Sequence, residues 1–247
     1  MIDAQEANEA DRTGASAPDL QESVRRRTYV VLAAYNEAVC IEEVVWGVLA
    51  HYPNVVVVDD GSQDDTFDRA LRAGATALRH VINRGQGAAL QTGVTYALMR
   101  GAEFVVTFDS DGQHQVEDIA PLIDPIHRGE VDITLGSRFL GQAVNMTSGR
   151  RLLLKAGVLF TRIVSGVNVT DAHNGLRGFS RRAAERIRIT LDRMAHASEL
   201  IDQVRASGLP YREVPVRIHY TEYSQAKGQG ALGALKIVIH YFFGRIT

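Results

Sequence analysis

Strand-like apolar runs alternate with helical stretches through the first half of the chain, and this alternation limits the possible folds more than any other feature. Four runs rich in β-branched and other apolar residues begin at Thr28, Asn54, Ala75 and Glu103. A stretch with helical character separates each run from the next. Such strand–helix–strand units form right-handed crossovers and a mainly parallel sheet with helices on both faces. The sequence therefore predicts an α/β fold with a Rossmann-like sheet.

Each of the four predicted strands ends in polar or glycine-containing sequence. These ends are Tyr35-Asn36-Glu37, Asp59-Asp60, Asn83-Arg84-Gly85-Gln86-Gly87 and Asp109-Ser110-Asp111. Ligands of open α/β sheets bind beyond the carboxyl ends of the strands. Each end alone would be explained by turn chemistry. The agreement of all four favours one shared binding site.

The fourth predicted strand, residues 103–108, runs directly into two carboxylates. If the backbone stays extended there, the two-residue period places Asp109, Asp111 and Gln113 on one side. Oxygen ligands suit a hard divalent cation such as Mg²⁺ or Mn²⁺, and magnesium usually takes only one or two protein carboxylates beside water and phosphate oxygens. We therefore expect a metal-bound diphosphate here, which indicates a nucleoside diphosphate derivative as substrate.

The composition argues against nucleic-acid binding. The chain has 247 residues with 27 basic and 29 acidic side chains, a formal charge of −2, whereas nucleic-acid binders normally carry a basic excess on one face. Its hydrophobic content of 45% suffices for one large core. Cys40 is the single cysteine, which excludes an internal disulfide framework and is compatible with a reducing cytoplasm.

The two ends of the chain differ from its middle. Residues 1–27 are predicted to be a disordered tail, because their polar composition offers little apolar surface to offset the entropy of ordering. Residues 28–230 are predicted to form one folded domain. Residues 231–247 are predicted to contain an amphipathic helix whose apolar face packs in the core or docks on a membrane. That helix is too short to span a bilayer, and the acidic N-terminus is unlike a secretory signal.

The second half of the chain is predicted to continue the mixed pattern. We expect, in order, a helix at 116–128, a strand at 131–135, a flexible loop at 141–149, a helix at 150–165, a polar segment at 171–180, a short helix at 181–187, a helix at 197–207 and a strand at 211–219. Arg138, Arg150, Arg151 and Lys155 lie near the start of the predicted helix at 150–165. Basic groups at a helix N-terminus oppose the helix dipole, which favours a bound anion between them.

Seven short motifs give the chain a recognisable pattern in both order and spacing. They are Ala33-Ala34-Tyr35-Asn36-Glu37, Val58-Asp59-Asp60-Gly61-Ser62, Asn83-x-Gly85-x-Gly87, Asp109-x-Asp111-Gly112-Gln113-His114, Gly136-Ser137-Arg138, Asn174-Gly175-Leu176-Arg177 and Glu213-Val214-Pro215-Val216. Over residues 28–230 the chain resembles the inverting family 2 glycosyltransferases of the GT-A fold. Within them it is most similar to the polyprenyl-phosphate branch, which includes the dolichol-phosphate mannosyltransferases.

The resemblance implies a role for each matching position. It implies donor binding by Ala33, Tyr35, Glu37, Asp59, Asp60, Gly85, Gln86, Asp109 and Ser110. It implies a metal, Mg²⁺ or Mn²⁺, on Asp109, Asp111 and Gln113. Arg138, Arg151 and Lys155 would bind the acceptor phosphate, and Asp109, Asp111, Arg138 and Arg151 would carry catalysis. The enzyme would transfer a sugar from a nucleoside diphosphate to a polyprenyl phosphate, working peripherally at the cytoplasmic face of the membrane.

Three positions depart from the family pattern. Ala33 stands where the family has proline, Gln86 replaces a frequent lysine, and residues 223–228 replace a basic segment. The identities of the base and the sugar therefore stay open.

Four alternatives remain beside this interpretation. The first is the same donor chemistry with a saccharide hydroxyl as acceptor, as in polysaccharide or glycoconjugate synthesis, with Asp171 or Glu199 as general base. The second is a non-catalytic nucleotide-sugar-binding protein. A phosphatase of the haloacid dehalogenase type is disfavoured because its aspartates normally follow the first strand, not the fourth. A dinucleotide-binding enzyme is disfavoured because no third glycine follows Gly85 and Gly87 at the required spacing.

Overall fold

The computed structural model describes residues 17–190 and 196–220. These residues contain a seven-stranded sheet. The strands are β1 (Thr28–Ala34), β2 (Asn54–Asp59), β3 (Thr76–Arg79), β4 (Phe104–Thr107), β5 (Ile133–Val144), β6 (Arg177–Ser180) and β7 (Tyr211–His219). The helices are α1 (Ala17–Arg27), α2 (Ile41–Leu49), α3 (Thr66–Arg72), α4 (Gln86–Met99), α5 (Ile119–His127), α6 (Ser148–Ser165), α7 (Arg181–Arg186) and α8 (His196–Ser207), with a 3₁₀ turn at Val116–Asp118. None of the helices in these ranges has the length and hydropathy that crossing a membrane requires.

The order of the strands is β3-β2-β1-β4-β6-β5-β7. β6 is antiparallel to its neighbours β4 and β5, and the other neighbouring pairs are parallel. The chain builds outward from β1 to β3 and then crosses to the opposite side of β1 to form β4. Ligands of open α/β sheets bind at such a reversal of strand order. The carboxyl ends of β1 and β4 are therefore the expected site, and the predicted α/β fold is confirmed.

Helices cover both faces of the sheet, which explains why its central strands are almost uninterrupted apolar runs. Successive side chains of a strand point to opposite faces. Val30 and Leu32 of β1 accordingly belong to one buried cluster with residues of α2 and α5. Val31 belongs to a second cluster on the other face, with residues of α4, α7 and α8.

The predicted disordered tail is wrong for residues 17–27, where the structure has α1. This helix packs Val24 against the core, and Arg27 Nη1 lies 2.6 Å from Glu103 Oε2. One apolar side chain and a long-range ion pair leave no local signal, so composition alone missed the helix. Residues 1–16 and the predicted terminal helix at 231–247 lie outside the described residues.

Two strands extend or replace predicted loops in the second half. β5 runs to Val144, so the loop predicted at 141–149 is wrong over its first four residues. Its pairing with β7 shifts between Ser137 and Gln142, and an added Cβ on Gly141 would lie 2.2 Å from the carbonyl oxygen of Val216. β6 lies inside the segment that was predicted to be polar and irregular. The sequence did not predict this strand, because its four residues have no alternating pattern and it is stabilised by pairing with β4 and β5. The helix predicted at 116–128 begins as a 3₁₀ turn.

The close contact between α4 and the sheet predicts a stability effect at Gly93. A Cβ added there would lie 2.3 Å from Val31 Cγ1 and 3.2 Å from Val58 Cγ2. We expect Gly93→Ala to lower the free energy of unfolding by about 1–3 kcal/mol through overpacking. Urea unfolding monitored by circular dichroism measures it.

Gly149→Ala is the matched control, because Gly149 also lies in a helix but has no heavy atom within 4 Å of its added Cβ. This variant should be neutral or stabilised by up to about 1 kcal/mol. Equal stability of the two variants would contradict the close packing of α4 on β1.

Candidate active site

The carboxyl ends of β1 and β4 are joined directly at the reversal of strand order. Ser110 donates a hydrogen bond from its Oγ to the carbonyl oxygen of Ala33 at 2.8 Å. The amide of Phe108 donates to the carbonyl oxygen of Val31 at 2.9 Å. The segment that carries Asp109 and Asp111 is therefore held beside the loop that follows β1, as the sequence predicts.

The carboxylate of Asp109 is the meeting point of three segments. Gln86 Nε2 donates to Asp109 Oδ1 at 3.2 Å, and His114 Nε2 lies 2.9 Å from Asp109 Oδ2. The backbone of Gly175 passes so close that an added Cβ would lie 2.2 Å from Oδ1. The Asp109 side chain is still 31% exposed, so a ligand can reach it.

Asp111 is a partly buried carboxylate beside a second negative charge. Burial and the neighbouring charge of Asp109 raise the pKa of Asp111 above its ordinary value. The backbone amide of Gln113 donates to Asp111 Oδ1 at 3.1 Å, and Gln113 Nε2 donates to Asp111 Oδ2. Like charges held together at low dielectric are stabilised by a cation between them.

The donor set fits a divalent ion that also binds substrate. The described part of the chain has no group of three or more His, Cys, Asp or Glu placed to hold a metal. Two carboxylates and one amide oxygen leave the other positions of an octahedron to water and diphosphate oxygens, as is usual for magnesium. Asp109, Asp111 and Gln113 fit such an ion once Gln113 turns its amide oxygen towards it.

Asp59 and Asp60 at the end of β2 are almost fully buried, with 0% and 2% of their surfaces exposed. Asp59 accepts a hydrogen bond from the amide of Ser62 at 3.0 Å and pairs with Arg79. Asp60 accepts from the amide of Gly85 at 2.6 Å, and its other oxygen lies 2.7 Å from His80 Nδ1. Asp60 thus fixes the turn that brings Gln86 to Asp109.

The loop after β1 is locked to the loop after β2. Asn36 adopts a left-handed φ of 54°, and its backbone N–H donates a hydrogen bond to Ser62 Oγ at 2.9 Å. The amide of Glu37 donates to Thr66 Oγ1 at 2.8 Å. Glu37 is buried, whereas Tyr35 is 40% exposed and presents its ring at the rim of the site.

Arg138 lies in the middle of β5 and is buried in an ion pair. Its Nε donates to Asp171 Oδ2 at 2.6 Å, and its Nη1 donates to Tyr220 Oη at 2.7 Å. Burial opposes the positive charge, but Asp171 and Tyr220 outweigh this effect and raise the pKa of Arg138. Glu213 Oε1 holds Asp171 in place, because it accepts hydrogen bonds from the backbone amides of Thr170 at 2.7 Å and Asp171 at 3.2 Å.

The basic residues near the start of α6 have different surroundings. Arg150 lies over the Tyr220 ring at 4.7 Å, and Tyr220 in turn bonds to Arg138. Arg151 and Lys155 are exposed. Lys155 also lines a cleft of about 280 Å³ with Phe139 and Thr170. Arg150, which the resemblance left without a role, is thus linked to Arg138.

The two candidate general bases are both bound to other groups. Asp171 pairs with Arg138, as described above. Glu199 accepts hydrogen bonds from the amide and hydroxyl of Thr190 and from Gln203 Nε2. These contacts give Asp171 a role in positioning Arg138 and give Glu199 a role in fixing the segment after α7.

Arg177 is the site residue that sequence reasoning missed. It is 3% exposed, β6 pairs it with Thr107, and its Nη2 donates to the carbonyl oxygen of Ala172 at 3.2 Å. Burial lowers its pKa to about 10 against the attraction of Asp109 and Asp171. Arg177 therefore supplies a buried positive charge close to both Asp109 and Asp171. The Asn174-Gly175-Leu176-Arg177 motif is the sequence feature that could have identified Arg177, but the resemblance assigned no role to this residue.

Solved glycosyltransferase structures have the same fold. Glucosyl-3-phosphoglycerate synthase from Mycobacterium tuberculosis, in complex with Mn²⁺, UDP-glucose and phosphoglyceric acid, aligns with a TM-score of 0.66 over 92% of this chain and 84% of that chain. At 20% sequence identity the likeness concerns the fold alone. The protein has the GT-A fold of the glycosyltransferases.

The sequence comparisons define the family. The model of glycosyl transferase family 2 matches residues 29–188, and the chain belongs to this family. It is therefore a glycosyltransferase.

Curated relatives match along most of their length. An uncharacterized protein of Methanocaldococcus jannaschii is 36% identical over 88% of this chain and 92% of its own. A UDP-N-acetylglucosamine–dolichyl-phosphate N-acetylglucosaminyltransferase of Methanococcus voltae is 32% identical over 85% of this chain and 92% of its own. The polyprenol monophosphomannose synthase of Mycolicibacterium smegmatis is 32% identical over 83% and 82%. Relatives therefore include sugar transferases named for polyprenyl-phosphate lipids.

The raised pKa of Asp111 predicts a pH-dependent stability effect. In the folded chain ionisation of Asp111 is unfavourable, so the charged form costs stability at neutral pH, and this cost vanishes once the group is protonated. Asp111→Asn with a chelator present should raise the unfolding midpoint at neutral pH. The gain should shrink as the pH falls towards the ordinary value of 3.8.

Thermal unfolding of the variant and the wild type across this pH range measures the difference. Asp124→Asn is the control, because Asp124 on α5 is 53% exposed and its carboxylate lies 2.9 Å from Arg128 Nη2. A variant less stable than the wild type at neutral pH would contradict the repulsion between Asp109 and Asp111.

Proposed function

We propose that the protein is a metal-dependent, inverting glycosyltransferase that moves a sugar from a nucleoside diphosphate to a polyprenyl phosphate. One observation carries the proposal: paired carboxylates at the reversal of strand order adjoin a buried arginine system, and both candidate bases are already engaged. Such a site can bind a diphosphate through a cation and a second phosphate through arginine. The names of the relatives support the same acceptor class.

Asp109, Asp111 and Gln113 would hold the cation on the donor side. Bound there, Mg²⁺ or Mn²⁺ supplies Lewis-acid stabilisation of the leaving diphosphate. Crystals of glucosyl-3-phosphoglycerate synthase with Mn²⁺ and UDP-glucose, and with Mg²⁺ and uridine diphosphate, support a divalent ion in this fold.

The protein groups around the metal residues would orient the donor. Gln86 begins α4, a helix of 14 residues, and contacts Asp109, so the N-terminus of this helix would face the diphosphate. Helix N-termini favour anions through their free amides and dipole. Tyr35 and Glu37 would bind the base and ribose, with Asp59 and Asp60 fixing the turns behind them.

The acceptor side is suited to a nucleophile that needs no base. A phosphate monoester has a second pKa near ~6 and is largely dianionic at neutral pH, so the protein has only to bind and orient it. The forked guanidinium of arginine suits this task. Arg138, Arg151 and Lys155 would bind the phosphate, with Asp171 and Glu213 holding Arg138 in place. We further propose peripheral binding at the cytoplasmic face of the membrane, with residues 231–247 contributing.

The metal residues can be tested by substitution. Asp109→Ala or Asp111→Ala should slow sugar transfer by more than about a hundredfold, and Gln113→Ala by about tenfold, because the remaining ligands hold the ion less well. Wild-type protein should also gain thermal stability from a nucleoside diphosphate only when Mg²⁺ or Mn²⁺ is present. A ligand at 100 times its dissociation constant contributes about 2.7 kcal/mol.

Asp124→Ala serves as the matched control for these substitutions, since Asp124 is an exposed aspartate of α5. It should retain wild-type transfer and the metal-dependent thermal shift. Full activity of Asp111→Ala after chelator treatment would exclude the metal-dependent mechanism.

The acceptor class can be tested by comparing arginine and carboxylate variants. Arg151→Ala should lower kcat/KM for a polyprenyl phosphate by about 10- to 100-fold, the loss expected for a charged hydrogen bond, while donor affinity stays unchanged. Arg72→Ala is the control, because Arg72 is a 62% exposed arginine on α3. Asp171→Asn should raise the acceptor KM through Arg138, and Glu199→Gln should affect stability more than turnover.

A saccharide hydroxyl must lose a proton as it attacks, so a general base contributes about 10²–10⁴-fold to its reaction. If Asp171→Asn or Glu199→Gln abolished turnover while Arg151→Ala was silent, the acceptor would be a saccharide hydroxyl and the lipid assignment would be wrong.

A further inference from the structure

Helix α6 leaves one long face exposed. Leu152 and Leu159 are 72% and 59% exposed, and Ala156 between them is also exposed. These three positions are spaced by four and three residues, so they share one side of the helix. Arg151 and Lys155 are exposed and each precedes one of them by a single residue. The face is therefore an apolar stripe with a basic border.

The opposite side anchors α6 to the domain. Val158 is 7% exposed, and a Cβ added to Gly157 would lie 3.1 Å from the His173 ring. Arg162 donates from Nε to the carbonyl oxygen of Val169 at 2.7 Å. The helix is held in a defined orientation, so its exposed face is a fixed feature of the surface.

The charge of α6 is unlike that of the whole chain. Its 18 residues include Arg150, Arg151, Lys155 and Arg162 and no aspartate or glutamate, whereas the chain has a formal charge of −2. Two adjacent arginines near a helix N-terminus are also unfavourable for the helix dipole. An anionic surface against this helix would neutralise its positive charge and would offset the unfavourable interaction of the arginines with the helix dipole.

We propose that the exposed face of α6 docks on an anionic lipid bilayer, with Leu152, Ala156 and Leu159 entering the headgroup boundary and the net positive charge of the helix attracting the anionic surface. An apolar stripe bordered by Lys and Arg is the pattern of helices that lie in the membrane interface. Charge complementarity selects the membrane over a second copy of this chain, because two such basic faces would repel each other. The inference rests on the proposed function, since it identifies where a lipid substrate is met.

A cleft adjoins this face, because Lys155 and Leu159 also line it. It has a volume of about 280 Å³, and its other lining residues are Phe139, Val158, Arg162 and Thr170. Docking through α6 therefore places a partly apolar, partly basic opening beside the bilayer.

Vesicle flotation of the full chain tests the docking. The wild type should float with phosphatidylcholine vesicles that contain phosphatidylglycerol and should float less with phosphatidylcholine alone or at high salt. Leu152→Glu should weaken binding at least about tenfold, because a leucine that would enter the headgroup boundary is replaced by a carboxylate that the anionic surface repels. Leu71→Glu is the matched control, since Leu71 is a 54% exposed leucine on α3, and it should float like the wild type.

Two further measurements separate the possible outcomes. Transfer to a short-chain, water-soluble polyprenyl phosphate should be unchanged in Leu152→Glu, which distinguishes lost docking from lost folding or chemistry. If no polyprenyl phosphate accepts sugar but flotation still depends on Leu152, the proposed function fails and the docking surface stands. Flotation of Leu152→Glu equal to the wild type would overturn the docking surface. Sedimentation showing a dimer that Leu152→Glu dissociates would also overturn it and assign the face to a second copy.

Discussion

The repulsion between Asp109 and Asp111 is the constraint to which the rest of the site responds. β4 carries both carboxylates to the reversal of strand order, and burial makes the charge of Asp111 costly. Neighbouring groups offset part of this cost: Gln86 and His114 contact Asp109, and Arg177 adds a buried positive charge from β6. The protein itself compensates this negative charge only in part, and a cation would compensate the remainder.

Contacts behind the site keep these charges in register. Asp60 holds the turn that presents Gln86, and Glu213 holds Thr170 and Asp171 against Arg138. The loop that carries Gln113 and His114 pairs with the end of β7, since the amide of His219 donates to the carbonyl oxygen of Gln113 at 2.9 Å. Residue Tyr220 follows directly and bonds to Arg138. Gln113 and Arg138 are therefore supported by the same end of β7, and a shift of this strand would move both.

The basic residues divide into two groups with different surroundings. Arg138 and Arg177 are buried and bound to carboxylates or carbonyl groups, which fixes their positions and leaves little freedom to follow a ligand. Arg151 and Lys155 are exposed on α6 beside apolar side chains. A lipid phosphate is an anion attached to a hydrocarbon chain, so a rigid buried cation next to a basic, apolar surface matches both of its parts. This pairing joins the proposed chemistry to the proposed membrane contact.

The alternation of apolar runs and the polar strand ends were sufficient to predict the α/β sheet and the position of the Asp109–Asp111 segment beside the end of β1, because strand direction and the two-residue period are local properties. Local patterns did not predict β6, α1 or the extended part of β5, which are stabilised by neighbours distant in the sequence. The tertiary structure alone decided which charges are paired. Asp171 is bound by Arg138, Glu199 by Thr190, and Arg177 is buried beside Asp109, since a side chain's partner and burial depend on segments that the chain brings together only on folding.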